Sequence, residues 1–286
     1  MTGGERDKSA GPDRWEIVRG ALLEAGHRFA DLVLVASDRD TKATAHWTAR
    51  ETAAHVGSIA WLYTSMLAGV PAPVPGFAER SRSTTVDTIA ELNTLLLRHF
   101  TEREPHALAA RLRTDIARIL DITEGRGSAS VTWLGDSRVP VAGVLAHLLN
   151  EILIHGRDIA RCSGRRWEIS PRDTALFLDL FVVGMLRADY GRLLDNDEPP
   201  RDRPVTVEIR STYTAPVTLV LHRGRVVVVE PGSVPDVIVS ADPTAFNLMM
   251  FGRITKLRAL LTGKVRVRGR RPWVLPAFLR TVRMPN

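Results

Sequence analysis

For roughly its first two thirds the chain spaces its apolar residues with a helical period, and after that with a strand period. Trp15, Val18, Leu22, Phe29, Leu32 and Val33 lie three, four or seven apart, so residues 15–36 read as an amphipathic helix. Thr48 and Glu51 form an S/T-x-x-E capping box, and a helix is expected to start there with His55, Ile59, Leu62 and Met66 on one face. The Pro- and Gly-rich run 69–76 ends it. A second such box, Thr88 to Glu91, is expected to open a helix carrying Ile89, Leu92, Leu96 and Phe100, which Pro105 restarts or kinks through Leu108, Leu112, Ile116 and Ile119. After a Gly-Ser break at 125–130, Pro140 sits where a helix of 141–162 would begin, ending at Ser163-Gly164. Four long amphipathic helices with moderate loops are the signature of a bundle. A further apolar helix follows Ser170-Pro171, with Phe177, Leu180, Phe181 and Met185.

Beyond the charged, Pro-rich stretch 195–202 the period falls to about two. Residues 205–209, 217–221 and 237–239 alternate, and His222 to Arg225 reads as a hairpin turn. The β-branched run Val226–Val229 reads as a strand buried on both faces. Short helices at 243–251 and 257–261, a strand at 263–269 and a closing helix at 272–282 complete an α+β unit.

The composition adds boundaries to this picture. At 286 residues, 44% apolar and 25% charged, the chain can form two cored domains. No apolar run is long enough for a transmembrane helix, and residues 1–13 read as a disordered lead-in without the apolar stretch of a signal peptide. The single cysteine, Cys162, excludes internal disulfides and suits a cytoplasmic setting. From Pro243 onward there are ten Lys or Arg and no acid; subtracted from the total of +7 they leave −3 for the rest. That basic end suits an anionic head group or a solvated face; it lacks the interleaved aromatics of a nucleic-acid surface.

The candidate chemistry lies in the helix 141–162. His147, Glu151 and His155 are four apart, within a band about 80° wide. His147 and His155 are about 12 Å apart along the axis, too far to share an ion, so a metal there would take Glu151, His155 and a remote residue. His55, on the apolar face of its helix, is the best candidate; a buried His–Glu pair without metal is the competing reading. Cys162, about 10 Å beyond His155, cannot join them. Asp158 is placed either to orient His155 from behind or to face solvent. Arg80 and Arg82, in the loop after the second helix, are candidates for a substrate carboxylate.

Two stretches carry a resemblance. Trp47-Thr-Ala-Arg-Glu-Thr-Ala-Ala-His55-Val, with Asn150-Glu151-Ile-Leu-Ile-His155-Gly-Arg-Asp158-Ile a hundred residues on, resembles the mycothiol-dependent maleylpyruvate isomerase family. Asp242-Pro with Phe246, Gly252 and Leu260-Leu-Thr-Gly-Lys-Val-Arg-Val267 resembles the SCP2-like (sterol carrier protein 2) fold. The resemblance implies a DinB-like four-helix bundle at 14–165, an extra helix and linker at 166–202, and a smaller SCP2-like α+β domain at 203–286. It implies His55, Glu151 and His155 as ligands of a divalent metal, zinc by default, with mycothiol as thiol cosubstrate. The implied reaction is isomerisation or S-transfer on a small electrophile such as maleylpyruvate. Thiol addition to a cis double bond would leave a rotatable single bond, and elimination would return the trans isomer. The alternative it leaves is a lipid or acyl-chain carrier, with the bundle as scaffold.

Overall fold

The computed structural model describes residues 14–36, 40–230, 232 and 234–284. The lead-in expected at 1–13 lies outside them. Four long helices make the bundle: α1 (Arg14–Val35), α2 (Ala49–Ala68), α5 (Pro105–Ile122) and α6 (Val141–Cys162). Each of α1 and α2 packs on both α5 and α6. Two shorter helices, α3 (Phe77–Ser83) and α4 (Ile89–His99), fill the connection from α2 to α5. A two-stranded ribbon, β1 (Ser130–Thr132) with β2 (Arg138–Pro140), leads into α6.

Local chemistry sets the helix starts. At Thr48 the box is complete: the side chain accepts from Glu51 N, and the Glu51 carboxylate accepts from Thr48 N. At Thr88 the expected box does not form. Its hydroxyl instead accepts from Thr85 N and its backbone is already helical, so no side-chain cap exists. The local Thr85–Thr88 turn wins the hydroxyl. Pro105 starts a new helix rather than kinking the old one, with the Glu104 carboxylate as its cap.

After α6, α7 (Pro171–Leu176) runs through a π-helical segment, Phe177–Val183, into α8 (Gly184–Ala188). This segment lies on α6, and Gly143 permits the approach: a Cβ there would stand 2.6 Å from the Leu180 carbonyl oxygen. The second unit is a mixed five-stranded sheet in the order β5-β4-β3-β6-β7. Its strands are β3 (Val205–Ser211), β4 (Thr214–His222), β5 (Arg225–Val229), β6 (Val237–Ala241) and β7 (Val265–Arg268). β3 and β6 are parallel, and the other pairs are antiparallel. The β4–β5 turn has φ of 50° at Arg223 and 76° at Gly224, the two positive values of a type I′ hairpin. β5 is an edge strand, and Val227 is 49% exposed, so the reading of Val226–Val229 as buried on both faces is corrected. The β-branched run reflects strand propensity, not burial. Helices α9 (Pro243–Met250), α10 (Lys256–Leu261) and α11 (Leu275–Thr281) complete the unit. Among the described residues no helix is long and apolar enough to cross a membrane.

Buried or partly buried polar contacts tie the halves together. The Asn247 amide of α9 donates to Asn150 Oδ1 of α6 at 2.6 Å, in a buried position. Arg253, in the turn after α9, grips Asp158 of α6, at 2.6 Å from its Nη2 and 3.2 Å from its Nε. The basic C-terminal stretch is thus partly paired: Arg283 meets Asp87, Arg271 meets Asp236 and Arg280 meets Glu198.

Candidate metal centre

The capped start of α2 fixes the phase of that helix and turns His55 inward, where it is 2% exposed. From α6, Glu151 and His155 come one turn apart onto the same spot. Nε2 of His55 and Nε2 of His155 each stand 3.4 Å from Glu151 Oε2. One ligand atom from each of the three residues falls within 4.8 Å of the others. A tetrahedral ion with ligands at about 2.1 Å has ligand–ligand edges of about 3.4 Å. The donor set therefore fits a small divalent cation with His-Glu-His chemistry, and among the described residues no fourth His, Cys, Asp or Glu joins it.

The surroundings orient these groups. Trp47 lies against the His55 ring, centroids 4.4 Å apart. His155 Nδ1 is 3.2 Å from Asp158 Oδ2, and Arg253 Nη2 donates to that same oxygen. A carboxylate behind a ligating imidazole fixes its tautomer and leaves Nε2 as the ligand. His55 Nδ1, also buried, has no partner among the described residues.

Electrostatics follow from burial and pairing. Burial pushes the Glu151 carboxyl up, but the bonds from His155 and His55 reverse this and hold it well below the usual range. His55 is lowered, chiefly by burial. For His155 burial also acts downward, and the bonds to Asp158 and Glu151 outweigh it and raise the group. Asp158 is pulled down by His155 and Arg253 against its own burial.

The centre opens on a cavity of about 620 Å³. Trp47 and its loop form one wall, α4 contributes Asn93, and the turn Phe251–Arg253 of the second unit closes another side. Arg157 and Arg161 line it from α6, and Arg161 also bonds the Ala43 carbonyl of the loop. Cys162 is not part of the lining.

The structure brings His55, Glu151, His155 and Asp158 together. It does not bring Arg80 or Arg82 to them: both are exposed on α3 and line no part of this cavity. The arginines that do, Arg157, Arg161 and Arg253, escaped the sequence reading. Arg253 lies 95 residues from Asp158 within a basic stretch read as surface, and no local spacing singles it out. His147, set aside as a partner of His155, stays one turn away with its Nε2 3.7 Å from Glu151 Oε1.

Residues 22–160 match the family model of the mycothiol maleylpyruvate isomerase N-terminal domain, and residues 201–271 that of the SCP-2 sterol transfer family. No curated protein matches the chain. Among solved structures, a crystal structure of the mycothiol-dependent maleylpyruvate isomerase aligns with 15% identity and a TM-score of 0.47, covering 88% of this chain and 92% of that one. A histidine-to-alanine mutant of that enzyme aligns at 14% identity with the same score and coverage. The chain thus joins a domain of the mycothiol maleylpyruvate isomerase N-terminal family to a domain of the SCP-2 sterol transfer family.

Proposed function

We propose that this protein is a metal-dependent enzyme that uses an external low-molecular-weight thiol, mycothiol, on a small anionic electrophile, in an isomerisation or an S-transfer. One observation carries the reading: three ligand atoms, two of them 3.4 Å from the third and all within 4.8 Å of one another, border a large cavity lined by three arginines and no cysteine. A divalent cation held by His55, Glu151 and His155, zinc by default, would supply the charge that lowers the pKa of a coordinated thiol.

The rest is done by the chain. Asp158 keeps His155 aimed with Nε2 forward. Trp47 covers His55 on the side of the cavity. Arg157, Arg161 and Arg253 give the cavity an excess of positive charge that draws a carboxylate toward the centre. Because no cysteine lines the cavity, the nucleophilic sulfur enters from solution.

The test is metal analysis of the purified protein, followed by turnover of an electrophile panel, maleylpyruvate included, with and without mycothiol. Stoichiometric metal, lost in His155→Ala, and thiol-dependent turnover are expected. Metal retained in both His55→Ala and His155→Ala sinks the assignment. Metal-free protein copurifying with lipid favours the carrier reading. That reading would have to enlarge the apolar gap between α7 and the sheet, which at about 30 Å³ holds only water-sized occupants.

A further inference from the structure

Beside the centre lies a buried polar chain that none of the chemistry above uses. The Trp133 indole Nε1–H donates to the Tyr63 hydroxyl oxygen at 3.0 Å. The Tyr63 oxygen is 3.0 Å from His147 Nδ1. Indole nitrogen is only a donor, so Tyr63 accepts from Trp133 and has its single proton left to give to His147. Burial pushes the phenol pKa up, so that proton stays on Tyr63. Among the described residues the hydroxyl has no other acceptor, so Nδ1 of His147 takes its hydrogen and the neutral ring carries its own on Nε2.

That Nε2–H faces Glu151 Oε1 at 3.7 Å, roughly 0.5 Å beyond an ordinary N–H···O bond. The other faces of the ring meet Trp133, Phe177 and Phe181, which offer no acceptor. A cavity of about 70 Å³ borders both His147 and Glu151, so the carboxylate has room to close the gap. The two oxygens of Glu151 therefore have separate surroundings: Oε2 faces His55 and His155, and Oε1 faces His147.

We infer that His147 is a positioning residue for Glu151: its Nε2–H form, imposed from behind by Tyr63 and Trp133, engages Oε1 so that the carboxylate offers a cation Oε2 alone. A one-oxygen ligand leaves more of the coordination sphere to incoming groups than a two-oxygen one. The sequence placed His147 on the same helical band without a role; the relay supplies one. The inference rests on the metal reading for its affinity arm, while its tautomer arm needs no metal.

Both arms use the full chain. In ¹⁵N-histidine NMR of metal-free protein, His147, assigned by its loss in His147→Gln, is expected to show a protonated Nε2 and a bare Nδ1. Protonation on Nδ1 overturns the inference. Zinc affinity, read by competition with a chelator, is expected to fall about 10- to 100-fold in His147→Leu, the range for removing a partner behind a ligand. His147→Gln, which keeps an N–H donor, is expected to bind within about threefold of wild type. Equal affinities for the Leu and Gln variants mean a packing role and overturn it. Should His147→Leu not fold, Tyr63→Phe is near-isosteric; it is expected to show both tautomers and weaker zinc binding, and wild-type behaviour in both overturns the inference. Wild-type protein that binds no zinc sinks the proposed function as well, so the two failures are distinguishable.

Discussion

Replacing Arg253 by Met tests the link between the second unit and the candidate metal centre. Arg253 makes three contacts to the Asp158 carboxylate, at 2.6, 3.2 and 3.3 Å. Asp158 is only 3% exposed, and its other partner is His155. Removing the guanidinium leaves a buried carboxylate short of a counter-charge. Removing one partner of a buried pair costs about 3–5 kcal/mol; the Arg253 side chain is 21% exposed, which lowers the expectation to about 2–3 kcal/mol. In urea unfolding the midpoint should drop with little change in slope. Asp158→Asn alone should also destabilise, and the double variant should cost less than the two singles added, by at least about 1 kcal/mol. Additivity to within about 0.5 kcal/mol would refute the pairing argument. The pH dependence of metal-free protein adds a second check. Asp158 has a depressed folded pKa, so its contribution is present above its unfolded value and lost as pH falls through the folded one. His155 has a raised folded pKa, so its contribution is complete below its unfolded value and lost as pH rises through the folded one. The His155–Asp158 stabilisation should therefore peak between these limits, on the acid side of neutrality, and Asp158→Asn should flatten that peak.

Two other outcomes follow from particular contacts. A Cβ on Gly156 would meet the Trp167 ring at 2.4 Å, so Gly156→Ala should cost about 1–3 kcal/mol in thermal unfolding; an unchanged melting temperature would show that Trp167 moves aside freely. Metal binding needs a neutral His155, whose pKa is raised, so zinc affinity should weaken about tenfold per pH unit below that pKa, with a flat profile across pH ~5.5–8 counting against His155 as a ligand.

What the sequence made legible follows from the range of the interactions that hold each part. The Thr48 box spans three residues, and the Glu151–His155 pair spans four; both are local geometry, and both stand where the periodicity put them. His55 is harder, because its place beside Glu151 depends on how α2 packs against α6. The apolar face of its helix made it the best candidate for a third ligand beside Glu151 and His155, and the resemblance to a family implied the same set. The Thr88 box shows the limit of local rules: the spacing was right, but a competing turn at Thr85 took the same hydroxyl. Arg253 had no local signature at all. It belongs to a stretch of ten cations, and only the placement of α9, which packs on α7 and meets α6 through Asn247 and Asn150, decides which cation reaches Asp158. Arg80 and Arg82 show the same in reverse: a stretch that reads as loop folds into a short helix whose arginines are exposed. The arginines that line the cavity belong to α6 and to the second unit. The cavity beside His55, Glu151 and His155 is therefore incomplete without Phe251 to Arg253, and a bundle expressed without the second unit would lack both a cavity wall and the counter-charge of the carboxylate behind His155.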